Sequence, residues 1–208
     1  MKRSKELNAA IDEWIRTRLS RGDEAYLLTL MFVALKGNDA SLTRQMNSIA
    51  ERVYSRILTR LVKHPRKTTL EQMPLWLSSA DWPVQKIDGM SVAENLANGG
   101  QHLHAMVFVP PNVRTGERLS EIINKDPAQF LVGRALTRLH AMPIEKSIDK
   151  ATGYALKSVD RGRTEWGDAL ILPKTGSEMG HAPPIRNRTI RSPEEEFVAR
   201  VVAWSSNR

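Results

Sequence analysis

The stretch "QHLHAMVFV" at residues 101–109 joins two histidines to an apolar run and has the pattern of a β-strand. Because side chains alternate across a strand, His102 and His104 project to the same face. The opposite face carries only apolar side chains: Leu103, Ala105, Val107 and Val109. The stretch therefore predicts a strand that packs one face on a hydrophobic core and presents two imidazoles on the other.

A second strand-like run, residues 86–95, precedes this strand, and the turn between them contains Asn98 and Gly99. An Asn-Gly pair between two such runs is a strong hairpin signal. A hairpin is antiparallel, and strand and helix patterns alternate along the rest of the chain. The sequence therefore predicts an α+β fold with a mainly antiparallel sheet.

The other elements follow from the spacing of apolar residues. Helices are predicted at 6–20, 42–63, 117–132 and 148–162, and strands at 25–35 and 136–147. Residues 64–85 contain three prolines and two tryptophans without a clear period, which predicts an insertion or partly ordered loop. We expect a main domain over 1–166 and a C-terminal extension over 167–208 that contains a strand, a linker and a helix.

The composition limits the class of protein. Lys and Arg number 31 against 23 Asp and Glu, which gives a formal charge of +8 and suits a polyanionic partner, although a basic solvated surface explains it equally well. The absence of cysteine excludes disulfides, thiolate metal sites and a cysteine nucleophile. The charged N-terminus and the lack of a long apolar run predict a cytoplasmic protein without membrane contact.

The two histidines are candidate metal ligands. If the hairpin turns about Asn98 and Gly99, Glu94 lies opposite His102 and shares its face. Two imidazole nitrogens and one carboxylate suit Mg²⁺ or Mn²⁺ acting on a phosphate. The alternative is that His102 and His104 are structural and that Glu94 is a solvated residue of the hairpin.

A candidate nucleophile lies in "GYALKSV", residues 153–159. Tyr154 and Lys157 are three residues apart in the predicted helix and so occupy one face. An ammonium group near a phenol can lower the phenol's pKa or stabilise charge that develops on a phosphate. The alternative is a packing tyrosine beside a solvated lysine. Tyr26 and Tyr54 fall within apolar patterns that already explain them, so neither is expected to be a nucleophile.

Three segments together resemble, in order and spacing, the motifs of the HUH endonuclease superfamily. They are "YLLTLMF" (26–32), "ENLANGGQHLHAMVF" (94–108) and "GYALK" (153–157). The chain is most similar to the single-tyrosine replication initiators of plasmids, phages and small single-stranded DNA viruses that replicate by a rolling circle. The resemblance covers roughly residues 24–160, and its specificity comes from the joint arrangement.

The resemblance implies an RRM-like or ferredoxin-like sheet that binds single-stranded DNA at an origin or hairpin. It assigns Tyr154 to attack on a phosphodiester with formation of a 5′-phosphotyrosine, and it assigns a bound Mg²⁺ or Mn²⁺ to His102, His104 and Glu94. Lys157 would contact the phosphate region. A host or element-encoded helicase would unwind the DNA, since the sequence contains no Walker motif. A tyrosine transposase of the same superfamily and a non-catalytic nucleic-acid-binding module are the alternatives.

Overall fold

The computed structural model describes residues 2–81, 101–132, 135–160 and 166–174. The strands are β1 (Glu24–Phe32), β2 (Leu75–Asp81), β3 (His102–Val109), β4 (Leu136–Pro143) and β5 (Leu170–Leu172). The α-helices are α1 (Lys2–Ser20), α2 (Asp39–Leu61), α3 (Leu119–Lys125), α4 (Ile148–Ala155) and α5 (Lys157–Asp160). Short 3₁₀ turns lie at Pro65–Lys67, Leu70–Gln72, Pro127–Gln129 and Trp166–Asp168.

The strands form one antiparallel sheet in the order β4-β1-β3-β2-β5. The elements from β1 to β4 follow the sequence β1-α2-β2-β3-α3-β4, and their strand order 4-1-3-2 is that of a ferredoxin-like fold. The predicted α+β, ferredoxin-like class is confirmed. Among the described helices, none combines the length and the apolar character needed to cross a membrane.

The two faces of the sheet pack against different helices. The first face, with Leu28 and Leu103 among its side chains, packs against α2 and α3 in the larger core. The second face packs against α1 and the α4–α5 segment through Met106 and Phe108. His102 and His104 also belong to this second face, because they alternate with Leu103 along β3. The strand thus places both imidazoles on the side that carries α4.

Helix α2 begins three residues before the predicted start. Asn38 is its N-cap, and the side-chain oxygen of Asn38 accepts a hydrogen bond from the backbone N–H of Ser41 at 2.9 Å. This interaction satisfies one of the free donors at the helix start. The buried residues of α2 then follow at helical spacing: Leu42, Met46, Ile49, Val53, Ile57 and Leu61.

The predicted loop over 64–85 is wrong in its second half, because residues 75–81 form strand β2 between β3 and β5. Every residue of β2 is buried, since both faces of this central strand are covered. A strand buried on both sides shows no polar alternation, so its period is hidden in the sequence. The carbonyl of Pro74, just before the strand, accepts a 2.8 Å hydrogen bond from the buried hydroxyl of Tyr54.

The buried guanidinium of Arg18 also holds the segment that precedes β2. The guanidinium of Arg18 lies 3.0 Å from the carboxylate of Asp23, and both side chains are almost fully buried. The same guanidinium donates to the backbone carbonyls of Glu71 and Met73. Helix α1 thereby holds the segment that leads into β2.

The predicted pairing of Glu94 with His102 is wrong. His102 faces Met31 of β1 on one side and Asp81 of β2 on the other, so both neighbouring positions are filled. Glu94 itself, with the turn at Asn98 and Gly99, lies outside the described residues.

Two further observations concern the C-terminal half of the chain. The helix predicted over 148–162 is interrupted at Leu156, so that α4 carries Tyr154 and α5 begins at Lys157. The strand predicted at the start of the extension over 167–208 is present as β5, and it pairs with β2 at the edge of the main sheet. The linker and the helix predicted after it lie outside the described residues.

Candidate active site

Four residues singled out in the sequence meet on the second face of the sheet. The imidazole rings of His102 and His104 have centroids 4.8 Å apart. The ring of Tyr154 lies 4.4 Å from the ring of His104, measured between centroids. The ammonium nitrogen of Lys157 is 5.5 Å from the centroid of the Tyr154 ring. Residues about fifty positions apart in the sequence therefore form one cluster.

Packing of the residues after Tyr154 sets the position of its ring. Ala155 and Leu156 are buried in the smaller core, whereas Tyr154 is 45% exposed. The buried hydroxyl of Ser79 in β2 donates a 2.8 Å hydrogen bond to the carbonyl of Ala155. The end of α4 is thus tied to the sheet one residue beyond the tyrosine, which leaves the phenol accessible above the histidines.

Asp81 belongs to the same cluster, although the sequence patterns did not indicate it as a site residue. Its carboxylate oxygen Oδ2 lies 3.2 Å from Lys157 Nζ and 3.5 Å from His102 Nε2, and its side chain is only 4% exposed. The residue lies directly opposite His102 in the antiparallel pair of β2 and β3. Asp81 is the last residue of β2, and its position beside His102 becomes visible only once residues 75–81 are known to be a strand.

His104 is held as a neutral base. Burial lowers the pKa of His104 to about 4, and the neighbouring His102 and Lys157 act in the same direction, while Asp81 opposes them. Its Nδ1 lies 3.1 Å from the hydroxyl of Thr29, within hydrogen-bonding distance. The hydrogen bond at Nδ1 leaves Nε2 as the nitrogen that can bind a ligand. A neutral imidazole is also the form that coordinates metal ions.

The other two of the chain's three tyrosines are unsuited to attack. Burial and a hydrogen bond to Glu24 raise the pKa of Tyr26 to about 12. Burial also raises the pKa of Tyr54 far above its ordinary value. Both rings are almost fully enclosed in the core. The expectation that these two residues pack is confirmed, and Tyr154 is the tyrosine that is accessible in the cluster.

The cluster contains the donor atoms of a divalent-cation site. His102 and His104 supply imidazole nitrogens and Asp81 supplies carboxylate oxygens, a combination that Mg²⁺ or Mn²⁺ can use. In the described part of the chain, however, no three acidic or histidine side chains are already arranged around one point that could hold a metal ion. The Asp81 carboxylate lies against the Lys157 ammonium instead. The residue types therefore fit a cation, and binding would require these side chains to rearrange.

The low pKa of His104 predicts a loss of stability in acid. Its folded-state pKa of about 4 is below the ordinary value of 6.5, so between these values the unfolded chain takes up a proton that the folded protein does not. The free energy of unfolding should fall by about 2 to 3 kcal/mol as the pH drops through this interval. Urea unfolding in EDTA at neutral pH and at about pH 4.5 measures the loss.

His104→Gln should lose markedly less stability over the same interval, because the unfolded variant lacks that titrating group. His140→Gln serves as the matched control, since His140 is an exposed histidine of β4. An acid-induced loss in His104→Gln as large as in the wild type would contradict the assignment.

Comparisons with known proteins give no relative for this chain. No family model matches it, and neither the curated proteins nor the solved structures contain a significant match. The geometry of the cluster is therefore the basis for the functional proposal.

Proposed function

We propose that the protein is a metal-dependent endonuclease and strand transferase that nicks single-stranded DNA through Tyr154 to initiate rolling-circle replication. The contact of the accessible Tyr154 ring with the His104 ring, beside His102, carries this proposal. An accessible phenol beside imidazole and carboxylate groups is an arrangement suited to covalent attack on a phosphodiester. The basic charge of the chain suits the substrate.

The reaction would be a transesterification. The phenol oxygen of Tyr154 forms a bond to phosphorus while the bond from phosphorus to the 3′ oxygen breaks. The phenol loses its proton and the leaving oxygen gains one, which yields a 5′-phosphotyrosine and a free 3′-hydroxyl. Because one ester replaces another, the reverse step can rejoin the strand. Lys157, whose ammonium lies near the phenol ring, would stabilise negative charge on the phenolate and the phosphate.

His102, His104 and Asp81 would hold Mg²⁺ or Mn²⁺, which when bound polarises the scissile phosphate. We assign the carboxylate to Asp81 because it lies opposite His102 and within 3.5 Å of its ring nitrogen. Glu94, the acidic residue expected from the sequence, stays a second candidate for this carboxylate. The partners proposed are single-stranded DNA at an origin or hairpin and a separate helicase.

One observation favours a second candidate function, a non-catalytic nucleic-acid-binding module. The Lys157 ammonium forms an ion pair with the Asp81 carboxylate, and no metal-binding group is preformed among the described residues. In such a module the tyrosine and histidines would stack on bases, and no cation would be required. A tyrosine transposase would share the chemistry of the first proposal and differ only in its DNA substrate.

Covalent capture tests the proposal. The protein is incubated with a labelled random library of single-stranded DNA, with Mn²⁺ or with EDTA, and separated under denaturing conditions. We expect an adduct with Mn²⁺ only, and a released strand whose 3′ end a polymerase can extend. Cleavage without an adduct would contradict the tyrosine mechanism. Binding of the library without cleavage, unchanged by EDTA, would favour the binding module.

A further inference from the structure

The solvent-facing side of α2 and the turn that follows it carry a run of positive charge that the proposed nicking reaction does not use. We call this the basic α2 surface, and its exposed members are Arg52, Arg56, Arg60, Lys63, Arg66 and Lys67. No Asp or Glu occurs between residues 52 and 70. Glu51, the acidic residue just before this run, is paired with Lys174. We propose that the basic α2 surface binds the sugar-phosphate backbone of double-stranded DNA.

Two members of the surface are held in place by neutral groups. Arg56 donates hydrogen bonds to the backbone carbonyls of Gln129 at 2.7 Å and Leu131 at 2.9 Å. Arg60 donates to the side-chain oxygen of Gln129. A carbonyl or amide oxygen carries no net charge, so these hydrogen bonds do not balance the positive charge of either guanidinium group. Their fixed positions reduce the conformational entropy that binding a phosphate would cost.

Helix stability does not account for this charge. Cations favour a helix through its dipole only within the last turn, and Arg60 is the member of the surface in that turn of α2. Arg52 and Arg56 lie earlier, at intervals of four residues along the same side. Such a row spaces its charges by about 6 Å along the helix axis, which suits successive contacts with a phosphate backbone.

The basic α2 surface is separate from the Tyr154 site. Helix α2 packs on the first face of the sheet, whereas His102 and His104 lie on the second. The end of α2 also lies near the far end of β3, since the backbone N–H of Arg114 bonds the carbonyl of Leu61 at 2.8 Å. DNA bound along α2 would therefore contact the protein behind the sheet, away from the nucleophile.

The chemistry of the surface favours a duplex over a single strand. Proteins that bind single strands without sequence preference stack bases on aromatic side chains, whereas a duplex presents mainly its phosphates. In the described ranges, the exposed large hydrophobic side chains are Met142 and Tyr154. Neither belongs to the basic α2 surface, where the imidazole of His64 is the exposed ring, so that surface offers six cations and little area on which bases could stack.

Fluorescence anisotropy with a short labelled duplex in EDTA tests this proposal independently of nicking. The test variant removes three charges from the surface: Arg52→Gln, Lys63→Gln and Lys67→Gln. The matched control removes three exposed charges elsewhere: Arg16→Gln, Lys146→Gln and Lys150→Gln. At about 0.1 M salt we expect at least tenfold weaker duplex binding for the test variant, and a log–log salt dependence shallower by about 2 to 3. The control should change either quantity much less.

Equal losses in the two triple variants would overturn the proposal, because binding would then follow net charge and not this surface. An equally large loss of affinity for a single strand of the same length would overturn the assignment to duplex DNA. Binding to anionic lipid vesicles that depends on the surface, without such dependence for the duplex, would assign it to a lipid instead. If duplex binding depends on the basic α2 surface but no covalent adduct forms, the duplex-binding proposal is supported and the nicking proposal fails.

Discussion

Tyr154→Phe should abolish the covalent DNA adduct, lowering the rate of its formation by about 10⁴-fold or more. The substitution removes the one atom that forms the bond to phosphorus and keeps the ring that contacts His104. Because the side chain is 45% exposed, the folded protein should lose no more than about 0.5 kcal/mol of stability. Single-turnover adduct formation with Mn²⁺, followed on denaturing gels, measures the effect.

Tyr26→Phe is the matched control for this experiment. It removes a hydroxyl of the same kind from a ring that is buried on the other face of the sheet. We expect adduct formation close to that of the wild type. Affinity for single-stranded DNA should also be nearly unchanged in Tyr154→Phe, since the loss concerns bond formation. An adduct that persists in Tyr154→Phe, or disappears in Tyr26→Phe, would refute the choice of nucleophile.

Asp81→Asn should reduce metal-dependent adduct formation by about 10² to 10³-fold, because it removes the carboxylate proposed to join His102 and His104 in holding the cation. The Asp81 side chain is buried and faces both the Lys157 ammonium and the His102 ring. Its amide replacement is nearly isosteric but carries no charge. Electron paramagnetic resonance of added Mn²⁺ should show weaker binding, which is a readout that does not depend on catalysis.

Glu94→Gln separates the two candidate carboxylates. If Asp81 holds the metal, Glu94→Gln should keep both Mn²⁺ affinity and adduct formation near the wild-type values. The opposite pattern, with activity lost in Glu94→Gln and kept in Asp81→Asn, would transfer the role to Glu94. Thermal unfolding of each variant shows whether the chain still folds, since the Lys157 ammonium loses its carboxylate partner in Asp81→Asn.

Local sequence patterns were sufficient to predict several features of the fold and the site. The period of two in residues 101–109 placed His102 and His104 on one face, and the apolar run of β1 marked a core strand. The helical period of α2 was equally clear. Such patterns arise because burial of one face selects apolar residues at the spacing of the element itself, which neighbouring residues reveal.

These local patterns do not predict which strands pair with each other. Strand β2 is buried on both faces, so it lacks the alternation that marks a strand with one exposed face. Because the sequence does not mark β2 as a strand, it predicts the run at 86–95 as the partner of β3 and Glu94 at the position that Asp81 occupies. The choice between two partners for one strand depends on how their side chains pack with α1 and α2, which short spacings do not encode.

The sequence by itself determined which residue types could perform the chemistry and which of them share a strand face, because these properties are local. Only the tertiary structure brought Tyr154 over His104, placed Asp81 between Lys157 and His102, and put the basic side of α2 behind the sheet. These relations join segments far apart in the chain. They arise from burial of two separate hydrophobic cores, one on each side of the sheet, and that burial is a property of the whole fold.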